Sequence, residues 1–331
     1  MSIQSMTNTD TRDVDKTVKQ IMALEKAGCD IVRISIPDSE CADALGKIRK
    51  EVRVPIVADI HFDYRLAIAS VEKGADGIRI NPGNIGSRDK VRAVAGAVTE
   101  AGIPVRIGVN LGSVKKKILD EFGSDHVGAL VENARQYVEM LEDMGVQAIK
   151  VSLKSSDVLE TIEAYRRFSR LSDRPLHLGV TEAGTVFSGT IRSSVGIGAL
   201  LVDGIGDTIR ISLAGDPVQE VFAARILLEC VGLRKEGVRV IACPTCSRTT
   251  ADVAAIAKEV EDALKDIREH LVVAVMGCAV NGPGEAKIAD LGVACDKGGA
   301  VLFSHGKKLR RIAANEITAT LIDEIIKELR K

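Results

Sequence analysis

The chain has 331 residues, a formal net charge of -1, 46% hydrophobic and 27% charged residues, and no tryptophan. That composition excludes a disordered chain, and near-neutral charge with few aromatics argues against a nucleic-acid surface. No apolar run reaches the ~20 residues of a membrane span, and the length suits one large domain plus a small one.

From residue 2 to about 230, β-branched runs alternate with helical patterns. The expected strands are 3–7, 30–36, 55–61, 77–81, 104–110, 148–154, 175–181 and 208–214. The expected helices are 14–27, 42–51, 63–73, 90–101, 127–144, 158–171, 195–202 and 217–229. The phrases EKAGCDIV, EKGADGI, TEAGIPV and EDMGVQAI repeat one design: a helix ends, Gly28, Gly74, Gly102 or Gly145 caps it, and a buried strand begins. Such regular strand–helix units point to an α/β fold, a (β/α)8 TIM barrel. A doubly wound sheet is the rival and would not ordinarily use so many of them.

Barrel chemistry sits where strands finish. Here they finish in Arg33 and Ser35, Asp59 and His61, Arg79 and Asn81, Arg106 and Asn110, Lys150, Ser152 and Lys154, His177 and Glu182, and Arg210 and Ser212. Alternate strand residues share a face, so several cations converge on one mouth. Arg33, Arg79, Arg106, Lys154 and Arg210 are better explained by a multiply charged ligand, most simply a diphosphate, than by structural ion pairs. The glycine-rich stretch 183–206 is where a phosphate-contacting loop is expected. Acid–base candidates are Asp59, His61, His177 and Glu182, each of which could instead orient a cation.

The pattern changes near 231–238, which divides the chain into domains 1–232 and 238–331. The second is a smaller α/β unit with expected strands 239–242, 271–276, 288–295 and 300–304 and helices 251–264 and 312–329. The basic run from His305 to Arg311 reads as a solvated turn and helix start, or else as a dock for an acidic electron carrier. Cys243-Pro244-Thr245-Cys246 puts two sulfurs on one turn, and Cys278 follows an apolar strand. The glycines and proline after Asn281 turn the backbone, so that Glu285 returns toward the same point. Zinc normally takes Cys and His in a closed site, yet neither His270 nor His305 has zinc spacing. Three thiols and a carboxylate favour an iron–sulfur cluster with one labile corner. A structural zinc module on a phosphate-binding, pterin-synthase-like transferase is the alternative. The missing Cys-x3-Cys-x2-Cys run disfavours a radical-SAM barrel. Cys29, Cys41, Cys230 and Cys295 read as single unreactive thiols. An odd seven cysteines and no visible leader imply a reducing, cytoplasmic setting.

The segments QSMTNTDTRDV, ADIHFDYRLA, IRINPGNIG, VRIGVNLGS, IKVSLKSSD, LGVTEAG, CPTCSRT and GCAVNGPGE resemble the 4-hydroxy-3-methylbut-2-enyl diphosphate synthase family, the iron–sulfur enzymes of the non-mevalonate isoprenoid pathway. The likeness runs nearly end to end. It implies a barrel followed by a 4Fe-4S cluster domain. It also implies reductive dehydroxylation and ring opening of 2-C-methyl-D-erythritol 2,4-cyclodiphosphate, with ferredoxin or flavodoxin as electron donor. By motif, Cys243, Cys246, Cys278 and Glu285 are the implied cluster ligands. Arg33, Arg79, Arg106, Lys154, Arg210 and Ser212 are implied to grip the diphosphate, with Asn81 and Asn110 nearby. Glu182 is the implied acid–base residue, and Asn281 is implied to lie between cluster and substrate. The family pattern further implies a head-to-tail homodimer in which one copy's cluster domain caps the other's barrel. Family members carry further residues before QSMT, which implies a shortened first strand, a less closed barrel base or a misassigned start codon. The plant-type insertion is absent, which fits the compact bacterial type.

Overall fold

Parallel pairing of short β-branched runs builds the first of two units, Met1–Arg234. The computed structural model describes residues 1–278, 284 and 288–330. The strands of this unit are β1 (Ser2–Met6), β2 (Ile31–Ser35), β3 (Ile56–Asp59), β4 (Gly77–Ile80), β5 (Val105–Asn110), β6 (Ile149–Lys154), β7 (His177–Leu178) and β8 (Thr208–Ile209). They pair in the order β6-β5-β4-β3-β2-β1-β8-β7. A parallel bridge, Val151↔Leu176, joins β6 to the entry of β7, and Val151 N–H donates to Pro175 O at 2.9 Å. The sheet therefore curls into a barrel rather than staying open. β1 pairs with both β2 and β8, and Asp30 Oδ2 accepts from Ile3 N–H at 2.7 Å. The first strand is thus paired on both sides.

The helices are α1 (Val14–Ala27), α2 (Ser39–Glu51), α3 (Tyr64–Glu72), α4 (Pro82–Ile85), α5 (Arg88–Glu100), α6 (Lys116–Phe122), α7 (His126–Asp143), α8 (Val158–Ser169), α9 (Val186–Val202) and α10 (Pro217–Cys230). Asp13, Asp38, Asp63, Asp125, Asp157 and Asp216 start six of them by accepting from a first-turn N–H. Gly28 ends α1 at φ 108°, in the left-handed region that costs glycine nothing. Val32, Ile34, Ile56, Ile78 and Ile107 are buried and belong to one apolar core with Ile21, Leu45, Val94 and Leu141 of the helices. The strand residues between them face the barrel interior.

One expectation fails here. The glycine-rich stretch is mostly the helix α9, which begins at Val186 rather than 195. Its glycines serve close packing: a Cβ on Gly189 would meet Leu213 Cδ2 at 2.7 Å, and one on Gly196 would meet Val180 Cγ2 at 2.8 Å. The short helices α4 and α6 and the 3-10 turn Leu111–Ser113 were not expected.

The second unit, Lys235–Lys331, contains β9 (Val238–Ala242), α11 (Val253–Leu264), β10 (Leu271–Met276), β11 (Leu291–Asp296), β12 (Gly299–Ser304), β13 (Lys307–Ile312) and α12 (Ile317–Glu328). The strand order is β13-β12-β11-β10-β9, with β9, β10 and β11 parallel and the last two antiparallel. Val253, Val260, Leu321 and Ile325 of its helices share a core with Val273, Val293 and Leu302 of the sheet. The basic run is not a turn and helix start but the exposed edge strand β13. His305 and Gly306, both at positive φ, make its hairpin. Lysines along an edge keep other strands from pairing there, a sufficient reason for the charge.

Candidate functional site

Strand register sets the interior layer of the barrel. Met6 pairs with Arg33, Ser35 with Asp59, Asp59 with Arg79, Arg79 with Arg106, and Arg106 with Lys150. Asp59, 2% exposed, is the anchor. Its Oδ1 lies 3.0 Å from Arg79 NH1, and its Oδ2 lies 3.6 Å from Arg33 Nε and 3.5 Å from His61 Nε2. Burial alone would raise this carboxyl, but Arg33, the His61 bond, Arg79 and Arg106 overrule it and hold it far below the usual carboxylate range. A second carboxylate, Glu220, reaches in from α10. It lies 3.3 Å from Arg210 NH2 and accepts from Ser5 Oγ at 2.8 Å and Leu213 N–H at 3.0 Å.

These anions do not balance the cations. Arg33 also points Nε and NH2 at the Met6 thioether, 3.2 and 3.0 Å away, and sulfur is a weak acceptor for so strong a donor. The Nε atoms of Arg79 and Arg106 are buried without a partner. Burial pushes Arg33 down to about 10 despite Asp59. Burial, then the neighbouring arginines, pushes Lys154 well below the usual lysine range. A layer this short of negative charge favours an anion.

The same layer needs two glycines that sequence reasoning passed over. A Cβ on Gly108 would sit 2.7 Å from Arg79 Nε, and one on Gly179 would sit 2.6 Å from Lys154 Nζ. Gly108→Ala is therefore expected to displace the Arg79 guanidinium. Calorimetric titration with pyrophosphate should show roughly tenfold weaker binding, ~1.4 kcal/mol, together with a lower melting temperature, since the Arg79–Asp59 pair is disturbed as well. Met6, Glu220 and the glycines carry no motif signal of their own. They become visible only when the register is known.

Other candidates lie at the ends of the strands or on the loops after them. Glu182 is exposed and left-handed at φ 52°, a strained backbone for a residue with a Cβ. Asn81 Oδ1 accepts from Gly83 N–H at 3.1 Å and so caps α4. Asn110 is the register partner of Lys154. Ser212 is half-buried in the segment after β8. Among the described residues, no side-chain hydrogen bond or ion pair joins these four to the cationic layer.

His177 is 1% exposed, and its Nδ1 lies 2.8 Å from Thr208 Oγ1. Burial first, then Arg106 and Lys154, drives it well below the usual imidazole range, so it is neutral at pH 7. The unfolded chain takes up a proton as pH falls through about 6.5, and the folded chain does not. Stability contributed by His177 is thus present above pH ~6.5 and lost on acidification, by at most about 1.4 kcal/mol per pH unit. Denaturant titrations between pH 5 and 7 should show this slope, and His177→Gln should reduce it.

In the second unit Cys243, Cys246 and Cys278 line one cavity of about 140 Å³ with Pro244, Arg248, Thr249, Met276 and Gly277. β9 delivers the Cys-x2-Cys turn and β10 delivers Cys278. Gly277 N–H donates to Cys243 Sγ at 3.1 Å, and Cys246 N–H donates to Thr249 Oγ1 at 3.0 Å. A backbone bond from Arg248 lowers the Cys246 thiol, favouring the thiolate that metals need. Gly277 is required because a Cβ would meet Val253 Cγ2 at 2.8 Å. Among the described residues, no three His, Cys, Asp or Glu side chains converge tightly enough for a single ion. Three thiols around one cavity are the soft donor set that a thiolate-bound metal centre takes. Glu285 and Asn281 lie outside the described residues.

Both units match one family. The profile of the GcpE TIM-barrel domain covers residues 1–225, and that of the GcpE protein C-terminal domain covers 239–327. The chain belongs to the GcpE family. A relative from Ruminiclostridium cellulolyticum is 53% identical over 325 residues, spanning 98% of this chain and 92% of its own. Another, from Caldanaerobacter subterraneus, is 55% identical over 329 residues, spanning 99% and 92%. Both are named 4-hydroxy-3-methylbut-2-en-1-yl diphosphate synthase (flavodoxin). Among solved structures, Yersinia pestis dihydropteroate synthase with a sulfonamide drug superposes with a TM-score of 0.51 at 12% identity, over 69% of this chain and 94% of that one. That likeness shows the barrel fold alone. The family resemblance and the (β/α)8 barrel followed by a small α/β domain, both expected from sequence, hold.

Proposed function

We propose that this GcpE-family chain is the oxidoreductase that converts 2-C-methyl-D-erythritol 2,4-cyclodiphosphate to 4-hydroxy-3-methylbut-2-enyl diphosphate in non-mevalonate isoprenoid biosynthesis. The observation that carries this reading is identity above half, nearly end to end, with synthases of that name. The surplus of buried cations in the barrel and the three-thiol cavity support it. In this reading 1–232 is the substrate domain and 238–331 the cluster domain.

Arg33, Arg79, Arg106, Lys154 and Arg210 bind the diphosphate, and Ser212, Asn81 and Asn110 orient it. Asp59 and Glu220 keep the arginines charged and aimed. Cys243, Cys246 and Cys278 hold a 4Fe-4S cluster, with Glu285 as the fourth ligand. That cluster, when bound, supplies electrons one at a time. Glu182 donates a proton to the departing hydroxyl, which leaves as water, and Asn281 is assigned by motif as the second catalytic residue. The balance is two electrons and two protons in, one water out.

The electron donor is flavodoxin, in keeping with the relatives' names, or ferredoxin, and the setting is cytoplasmic. Among the described residues no helix is long and apolar enough to cross a membrane. The working form is a homodimer in which one copy's cluster domain covers the other's barrel. The exposed apolar stripe of α9, with Phe187 at 79% and Val202 at 76% exposure, supports a protein partner. Anaerobic turnover with reduced flavodoxin should yield the linear diphosphate. In Glu182→Gln, kcat should fall about 10²–10⁴-fold while KM stays. Unchanged kcat would remove Glu182 from the mechanism.

A further inference from the structure

At the end of the barrel where the strands begin lies a cavity of about 30 Å³ bounded by Gln4, Gly77, Pro104, Arg106, Lys150 and His177. It has room for one water or one ion of similar size. Its polar lining consists almost entirely of donors. Gln4 Oε1 is taken by Arg106 NH1 at 2.7 Å, which leaves the Gln4 amide hydrogens. Arg106 Nε–H is buried without a partner. Lys150 offers an ammonium. His177 Nε2 is buried without a partner too, while its Nδ1 faces the Thr208 hydroxyl. If that hydroxyl donates to Nδ1, Nε2 carries the hydrogen and becomes another donor. No carboxylate lines the cavity. Asp207 acts on Lys150 through space, but its Oδ2 is engaged by Leu176 N–H at 2.7 Å.

A water accepts two hydrogen bonds and must place two hydrogens of its own. Among the polar side chains of the lining only His177 Nε2, in its other tautomer, could accept from such a water, whereas a small anion accepts from Arg106 Nε and Lys150 at once. We propose that the barrel floor binds one small monovalent anion, chloride under cellular conditions, at a site beneath the phosphate-binding layer that shares Arg106 with it. The anion satisfies Arg106 Nε and His177 Nε2 and offsets charge that Asp59 and Glu220 leave unbalanced. It holds Arg106 on Gln4 whether or not an anion fills the mouth.

Thermal unfolding of the full chain in chloride against gluconate, at constant ionic strength and without phosphate, tests this. Chloride at about ten times its dissociation constant should raise the melting temperature by roughly 3–6 °C, with saturation. Lys150→Met should abolish the saturable part. Crystals of the unaltered protein grown in bromide should show an anomalous peak between Arg106 Nε and His177 Nε2, which keeps the test decisive if the variant does not fold. A non-saturating effect equal for both salts, or a cavity holding only water in bromide, overturns the proposal. A bromide peak confined to the layer around Arg33 and Arg210 overturns it as well.

Discussion

Exchange of Cys278 for serine is expected to abolish reductive turnover and bleach the protein while leaving the barrel folded. Cys278 follows β10 and faces the same cavity as Cys243 and Cys246, so its loss leaves two thiols for a group that needs more. Serine is poorly ionised near neutral pH, and its hydroxyl binds cluster iron much more weakly than a thiolate does. Loss of partners outside a metal's own ligands already costs 10–100-fold, so loss of a ligand should cost at least about 100-fold in turnover. The barrel core and the core of the second unit are separate clusters. Circular dichroism should therefore still show a cooperative barrel transition. Iron analysis and an anaerobic assay check the result. A serine variant with full iron content and full turnover would exclude Cys278 as a ligand.

The second large effect falls on stability. Asp59→Ala should destabilise the barrel by about 3–5 kcal/mol, because it leaves Arg33 and Arg79 buried without their carboxylate. In melting temperature that is roughly 6–20 °C. The sign of the pH dependence follows from the depressed carboxyl. Its stabilisation is present above the unfolded value near 4 and is lost only as pH falls below it. The gap between the variant and the unaltered protein should thus stay constant from pH 5 to 8 and close in acid. Adding Arg33→Met to Asp59→Ala should cost less than the sum of the two alone, since the uncompensated cation goes with it. Strict additivity would show that the two side chains do not share an electrostatic partnership. A high concentration of pyrophosphate should stabilise the unaltered protein, because binding to the folded state alone raises stability by mass action.

Much of this was legible in the sequence because barrel strands carry a period of two. Arg33 between Val32 and Ile34, or Arg79 between Ile78 and Ile80, cannot face the helices and must face the interior. The expected strands 175–181 and 208–214 are longer than the paired segments His177–Leu178 and Thr208–Ile209, because β-branched residues also suit the irregular segments that follow them toward Glu182 and Ser212. Glycine was the least readable residue. In 183–206 it suggested a phosphate loop, yet Gly189 and Gly196 are there to let α9 approach Leu213 and Val180. Gly108 and Gly179 sit inside the quoted segments VRIGVNLGS and LGVTEAG without a role readable there, and they give Arg79 and Lys154 their room. Glu220 escaped notice because it comes from a helix, where a first-turn carboxylate is ordinary. The run from His305 to Arg311 misled through composition: strongly basic sequence reads as a turn, whereas an exposed edge strand demands the same charge.

The measurement that bears most directly on the account is anaerobic purification followed by iron, sulfide and zinc counts with absorption and EPR spectra. About four irons and four sulfides per chain, a broad band near ~400 nm, and an EPR signal after dithionite reduction are the expected result. A colourless protein that retains one zinc per chain after anaerobic reconstitution would contradict it, and with it the assignment of Cys243, Cys246 and Cys278 to electron delivery.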